Sequence, residues 1–345
     1  MLIVTCADAG QSGAAGPRPR LPAEAGRCRA ITVGASTVLV TEHGSDELAR
    51  RIAALPGVRR VVHPVVGAPL ASRGCVVEDS AVAVGPVRFG GGGFTVIAGP
   101  CAVEGRSRLR RIAGLVRACG ASALRGGAYK PRTSPHAFQG VGQPGLRDLR
   151  DVGRGLGLPV VTEVVDVHTL PQVVEHADVV QVGTRNAQNF PLLREVGRAG
   201  CPVLLKRGFG CTVDEWLGAA EYVLAEGNDR VVLCERGIRT FEAATRFTLD
   251  LSAVAVLKHT SHLPVVVDPS HSTGHPELVR PMALAAAAAG ADGLLVDVHD
   301  EPGQARCDGG QALRPEGFRA LMADLVPVLH ALGRPLVGPT AGRTP

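Results

Sequence analysis

Aromatic side chains are scarce in this chain: one Trp, two Tyr and eight Phe among 345 residues. So few rings cannot form the stacking platforms that hold single-stranded nucleic acid, and the basic residues are spread out rather than gathered into a stripe. Nucleic acid is therefore not an expected partner. Long apolar runs are missing as well. None approaches the ~18 residues of a membrane span, and the opening MLIVTC is too short for a signal-peptide core and lacks a basic flank. A cytoplasmic protein, with no membrane partner, is the expectation. Paired cysteines are absent too. The nine cysteines, at positions 6, 28, 75, 101, 119, 201, 211, 234 and 307, are odd in number, scattered and never spaced as CxxC, which argues against a disulfide framework and a zinc ribbon alike. Lysine is rare: of 37 basic residues only Lys130, Lys206 and Lys258 are lysines. Each is a candidate for a role that a compact ammonium fills and a planar guanidinium does not.

What is present is the make-up of a globular protein with a sizeable core, 45% apolar and 20% charged with a net charge of +5. The length allows one large domain of ~250 residues and a smaller one of under ~100. From Phe94 onward, short Val/Ile/Leu/Ala-rich runs recur: FTVIAGPC (94–101), SALRGGAY (122–129), PVVTEVV (159–165), DVVQVGTR (178–185), PVLLKRG (202–208), RVVLCER (230–236), PVVVDPSH (264–271) and DGLLVDVH (292–299). Segments with helical apolar spacing, such as RLRRIAGLVRACG and DEWLGAAEYVLAEGN, lie between them. Apolar runs without polar alternation are strands buried on both faces of a parallel sheet. Eight strand–helix units predict a (β/α)8 TIM barrel over 94–333; a doubly wound open sheet is the alternative.

Ahead of the barrel, residues 67–93 read as a linker, GAPLASRG, followed by a hairpin through AVAVGPVRFGGGGF (81–94). Residues 1–66 read as a small, partly degraded ferredoxin-like α+β domain of regulatory type. Its first helix is replaced by a Gly/Pro/Ala/Arg-rich stretch over 7–29, and a helix SDELARRIAAL follows later. The tail, 334–345, reads as mobile.

Chemistry in such barrels sits at the C-terminal strand ends. Those ends deliver, in order, Cys101, Arg125 with Lys130 and Arg132, Glu163, Arg185, Lys206, Arg236, His271, and Asp297 with His299; the last loop adds Asp308. Cys101, His271, Asp297 and Asp308 combine a thiol, an imidazole and two carboxylates, a mixture suited to a divalent transition ion. Arg125, Lys130, Arg132, Arg185, Lys206 and Arg236 form a cationic set that calls for a ligand with several anionic groups. Glu163 is the carboxylate among these bases, a candidate to position or activate water.

The ordered motifs GPCAVEG, LRGGAYKPRTSPHAFQG, QVGTRNAQNF, PVLLKRG, CERGIRTFE, VDPSHSTG and ADGLLVDVHDEP resemble those of the 3-deoxy-D-arabino-heptulosonate 7-phosphate (DAHP) synthases, type I beta class. The resemblance covers residues 30–333. It implies a transferase condensing phosphoenolpyruvate with erythrose 4-phosphate, the first step of the shikimate pathway towards the aromatic amino acids. It implies one divalent ion (Mn2+, Fe2+, Co2+ or Zn2+) on Cys101, His271, Asp297 and Asp308, with His271 also serving catalysis. Phosphoenolpyruvate falls to Arg125, Lys130, Arg185, Lys206 and Arg236, and the sugar phosphate to Arg132 and Thr133. Lys130 and Glu163 are implied proton handlers. A homotetramer and an aromatic amino acid effector also follow from the resemblance.

The chain departs from the family in two places. Family members usually carry glutamate where Asp297 stands, and the lost methylene draws the carboxylate back by ~1.5 Å. Cys307, beside Asp308, stands where serine is expected, and reads as a small loop residue. The synthase forming 3-deoxy-D-manno-octulosonate 8-phosphate shares the barrel, but its KANRS-like acceptor loop fits Lys130–Ser134, KPRTS, less well. GVGQPG (140–145) has the spacing of a dinucleotide fingerprint, yet ten residues separate it from the preceding strand, so a helix N-terminus cannot meet a pyrophosphate there. A metal-dependent barrel hydrolase accounts for the ligands but not for six cations, and a homologue inactivated through Asp297 is the remaining alternative.

Overall fold

Short β-branched runs near the N-terminus form a four-stranded antiparallel sheet in the computed structural model, which describes residues 3–6, 19–33, 36–63 and 67–338. Its strands are β1 (Ile3–Cys6), β2 (Cys28–Val33), β3 (Ser36–Thr41) and β4 (Val58–Val62), in spatial order β2-β3-β1-β4. Helix α1 (Asp46–Ala53) connects β3 to β4. Ser45 caps it by accepting from the Leu48 amide, and it buries Leu48 and Ile52 on the sheet against Val4 and Leu39. This is the order of a split βαβ sheet. The missing first helix was expected within 7–29; residues 7–18 lie outside the described residues, and the remainder holds one 3-10 turn, Ala23–Ala25.

The expected linker packs rather than spans. Leu70 and Ala71 are buried, and their amides donate to the Glu221 carboxylate at 3.0 and 3.1 Å. A hairpin of β5 (Ala81–Val84) and β6 (Val87–Gly90) follows. Its Val82, Val84, Val87 and Phe89 pack against inward residues of the barrel, among them Ile97, Val161, Leu204, Val232 and Leu295. The hairpin therefore plugs the end of the barrel opposite the catalytic rim.

The eight apolar runs pair in parallel as β7 (Thr95–Gly99), β8 (Ala123–Arg125), β9 (Val160–Val164), β10 (Val179–Val182), β11 (Val203–Lys206), β12 (Val231–Glu235), β13 (Val265–Val267) and β14 (Gly293–Asp297). They close when β14 pairs with β7, from Gly293 opposite Thr95 to Asp297 opposite Gly99. Outside lie α2 (Arg106–Ala118), α3 (Gln143–Leu156), α4 (Leu170–His176), α5 (Phe190–Arg198), α6 (Val213–Leu224), α7 (Leu251–Thr260), α9 (Pro276–Ala288) and α10 (Pro315–Ala331); a short extra helix, α8 (Pro269–Thr273), sits at the rim after β13. Apolar spacing turns one face of each long helix onto the strands, as in α2 with Leu109, Ile112, Ala113 and Val116 buried. The chain is thus a (β/α)8 barrel preceded by a small antiparallel sheet. Among the described residues, no helix is long and apolar enough to cross a membrane.

The start of the tail packs onto the barrel. Residues 334–338 are tied to the barrel: the Val337 amide donates to Phe94 O at 2.8 Å, and Arg334 donates to Gly93 O at 2.9 Å and Asp292 Oδ1 at 3.1 Å. They extend the edge of the first barrel strand and bury its start. Residues 339–345 lie outside the described residues.

Candidate active site

The strand-end loops enclose a cavity of about 280 Å³. Ten of the twelve predicted site residues line it: Arg125, Lys130, Arg132, Thr133, Glu163, Arg185, Lys206, Arg236, His271 and Asp308. Cys101 and Asp297 lie behind this lining, buried in its floor. Glycine makes room at one point. A Cβ at Gly183 would collide with the Glu163 carboxylate, so the QVGTR loop can pass over Glu163 only because that position has no side chain.

Three of the four predicted metal ligands converge. One donor atom each from Cys101, His271 and Asp308 lies within 4.8 Å of the others. Cys101 Sγ is 3.2 Å from Asp308 Oδ2 and 3.7 Å from His271 Nε2, and His271 Nε2 is 3.7 Å from Asp308 Oδ2. The other imidazole nitrogen, Nδ1, faces Asp268 Oδ2 at 2.8 Å, the arrangement in which a carboxylate orients a ligating histidine. Asp268 caps α8, accepting from the His271 amide at 2.9 Å, and so places the ring. Burial pulls the His271 imidazole below its ordinary pKa even against Asp268 and Asp297, which keeps the ring in its neutral, ligating form. Burial works against ionisation of Asp308, yet the imidazolium that His271 becomes at low pH, together with Arg246, holds its carboxyl well below the usual range. A buried thiol, a neutral imidazole and an ionised carboxylate from three separate loops fit a divalent transition ion.

Asp297 is not brought into this group. It is fully buried and in ion-pair contact with Arg125, while Gln311 Nε2 donates to its Oδ2 at 2.7 Å. Its approach to His271 is to Nδ1, at 3.6 Å, on the side of the ring away from Cys101 and Asp308. A side chain one methylene shorter than glutamate stops at the Arg125 guanidinium. Cys307, read from sequence as a small loop residue, is instead buried against the cluster, with its Sγ 3.5 Å from Cys101 Sγ.

The cationic residues divide by partner. Lys206 pairs with Asp268 at 2.5 Å, and Arg125 with Asp297. Lys130 Nζ donates to Cys101 Sγ and O, both at 3.2 Å. Burial disfavours its charge, but Cys101 and Glu163 more than offset this and raise it above the ordinary lysine range. Arg236 is different. It is 3% exposed, donates to the carbonyls of His271 at 3.0 Å and Gly237 at 3.3 Å, and lies 4.1 Å from the Phe247 ring centroid. Among the described residues it makes no ion pair with a carboxylate, and burial lowers its pKa to about 10. A buried guanidinium without a counter-ion facing a cavity is a receptor for an anion. Arg185, exposed at the mouth, donates to the Thr133 hydroxyl at 3.2 Å, joining two predicted residues from different loops.

Sequence reasoning missed five participants. Arg246 lines the cavity and donates to Gln311 Oε1 at 2.6 Å. Phe209 and Phe247 stack at 4.9 Å and form the bed on which Arg236 rests. Asp268 and Gln311 support the floor. The available signal was position: all lie in loops after barrel strands, in a chain where aromatics are rare. His299, placed at the rim by its position, turns away and lies 3.6 Å from Glu104.

Comparison with known proteins matches residues 75–329 to the DAHP synthetase I family. A phospho-2-dehydro-3-deoxyheptonate aldolase of Thermotoga maritima is 48% identical over 305 residues, 88% of this chain and 90% of its own. A 2-dehydro-3-deoxyphosphooctonate aldolase of Syntrophobacter fumaroxidans is 32% identical over 263 residues, 71% of this chain and 90% of its own. In structure, the chain is similar to the phospho-2-dehydro-3-deoxyheptonate aldolase (DAHP synthase) of Thermotoga maritima. The TM-score is 0.77 at 41% identity, covering 97% of this chain and 98% of that one.

Proposed function

Because the chain belongs to the DAHP synthetase I family, we propose that it condenses phosphoenolpyruvate with erythrose 4-phosphate to give 3-deoxy-D-arabino-heptulosonate 7-phosphate and phosphate, with a divalent ion held by Cys101, His271 and Asp308. The observation that carries this reading is the cavity's charge. Its lining holds seven Lys and Arg side chains against the carboxylates of Glu163 and Asp308, and among the described residues Arg236 makes no ion pair with a carboxylate. Such a site is incomplete without a ligand carrying several negative charges close together, which phosphoenolpyruvate does.

Arg236, Lys206 and Arg185 would hold its phosphate, and Arg125 with Lys130 its carboxylate, nearer the floor. Arg132 and Thr133, on the loop after β8, would receive the sugar phosphate at the mouth. A bound divalent ion would supply Lewis acidity at the aldehyde oxygen. Lys130 keeps its proton and lies against Cys101, so it can give that proton to an oxygen that becomes negative as the new C–C bond forms. Glu163 opens on the same cavity, and Gln181 Nε2 donates to its Oε2 at 3.4 Å; this orients the other oxygen to accept a proton from the water that adds to the phosphate-bearing carbon.

The test is phosphate release from phosphoenolpyruvate with four- and five-carbon aldose phosphates, with Mn2+, Co2+ or Zn2+ added to chelator-treated protein and products identified by mass. A seven-carbon product that requires the ion is expected. Consumption of the five-carbon acceptor alone would assign the octulosonate reaction instead, and turnover of neither would overturn the reading.

A further inference from the structure

We propose that Cys307, and not Asp297, is the fourth protein ligand of the metal, so that the site presents two thiolates, one imidazole and one carboxylate. The inference rests on the metal-binding reading of the preceding subsection and concerns which side chains complete the site. A tetrahedral ion with metal–sulfur bonds of ~2.3 Å and metal–N or metal–O bonds of ~2.0–2.2 Å has donor–donor edges of ~3.3–3.8 Å. The Cys101–Cys307 Sγ separation is 3.5 Å, Cys307 Sγ to Asp308 Oδ2 is 3.5 Å, and Cys101 Sγ to Asp308 Oδ2 is 3.2 Å. Cys307 therefore already stands a ligand edge away from two of the three clustered donors.

Asp297 lacks that placement. Its two oxygens are taken by Arg125 and Gln311, and it meets His271 at Nδ1 rather than at the Nε2 that faces the cluster. To ligate, it would have to give up its ion pair with the buried Arg125. Cys307 has no such cost. Of its cationic neighbours Lys130 and Arg132, Arg132 donates to its Sγ at 3.0 Å, a hydrogen bond that a metal-bound thiolate retains. The backbone supports the pairing of neighbours. Asp308 takes a left-handed conformation, φ 51°, uncommon outside glycine, and this bend brings the consecutive side chains of Cys307 and Asp308 to one point. The two departures of this chain from its family then compensate: the shortened carboxylate withdraws from the ion, and a thiol takes its place. Two thiolates make a soft site, which favours Zn2+, Co2+ or Fe2+ over Mn2+.

The experiment loads chelator-treated, reduced protein with Co2+ alone and counts sulfur ligands by X-ray absorption and by the thiolate-to-cobalt charge-transfer band. Wild type is expected to show two sulfur scatterers at ~2.3 Å. Cys307→Ser, nearly isosteric and so expected to fold, should show one, with the charge-transfer intensity halved. Asp297→Asn should retain both. One sulfur in wild type, or an unchanged band in Cys307→Ser, overturns the assignment while leaving the metal-dependent reading intact. Failure of the protein to bind Co2+ stoichiometrically overturns both.

Discussion

Replacing Asp297 by asparagine in the metal-free protein tests whether this residue serves Arg125 or an ion. Asp297 is fully buried, Arg125 is 3% exposed, and the two are in direct ion-pair contact. The amide preserves volume and can still accept from Gln311, but it removes the charge opposite the guanidinium. Breaking a buried pair from one side leaves an uncompensated charge and costs ~3–5 kcal/mol, a large part of the ~5–15 kcal/mol that holds a protein folded. At ~2 °C per kcal/mol for a chain of this size, the variant should melt roughly 6–10 °C below wild type in the presence of chelator. Arg125→Met alone should be comparably destabilised, because it strands the carboxylate. The double variant removes both charges, so it should be more stable than the sum of the singles implies, by ~1–3 kcal/mol. Scanning calorimetry on the four metal-free proteins measures all of this. If Asp297 were instead an ion ligand held apart from Arg125, the metal-free Asp297→Asn protein would melt with wild type and lose only the stabilisation that metal adds. That pattern would refute the argument.

Three further outcomes are expected. Glu221 is half-buried and held by two backbone amides, and desolvation raises its pKa from 4.5 to about 7 despite those bonds. The folded state therefore keeps a proton that the unfolded state releases, and stability falls as pH rises from about 4.5 to about 7, by ~3 kcal/mol at 1.36 kcal/mol per unit; urea midpoints for Glu221→Gln should lack that slope, and an unchanged slope would exclude Glu221 as its source. Arg185→Ala removes an exposed guanidinium at the mouth, so it should lower kcat/KM for phosphoenolpyruvate by roughly 10–100-fold, as loss of a charge-assisted bond of ~1.5–3 kcal/mol requires, with no change in melting temperature; a rate equal to wild type would remove Arg185 from the phosphate site. Glu163→Gln should lower kcat by ~10²–10⁴ with KM for phosphoenolpyruvate little altered, and stopped-flow and steady-state rates that match wild type would deny it a proton-transfer role.

Much of the site was legible because barrel topology converts sequence order into spatial neighbourhood. Once the eight apolar runs were read as parallel strands, every residue at a run's C-terminal end was bound for one rim, and Arg125, Glu163, Arg185, Lys206, Arg236 and His271 all meet there. Rarity helped as well. Of the three lysines, Lys130 and Lys206 face the site, while Lys258 pairs with Asp292 on the outside of the barrel. Arg246 and the Phe209–Phe247 stack were not legible, because they come from irregular loops whose course no apolar periodicity dictates. The packing of the Leu70–Ala71 segment against Glu221 and the fastening of residues 334–338 were hidden for the same reason: each depends on a hydrogen-bond partner far away in the chain.

The sequence by itself determined the architecture and which residues stand at the strand ends. Strand burial, helix amphipathicity and strand-end chemistry are local properties, repeated eight times and mutually consistent. Tertiary structure alone decided which donors share a point. Cys101, Asp297, Cys307 and Asp308 all arrive within one rim, and the sequence could not tell which carboxylate is claimed by a buried arginine and which thiol stands 3.5 Å from its neighbour. Differences of one methylene and a few ångströms settle that choice, because a buried charge must be matched at contact distance, and contact distance is a property of packing rather than of order along the chain.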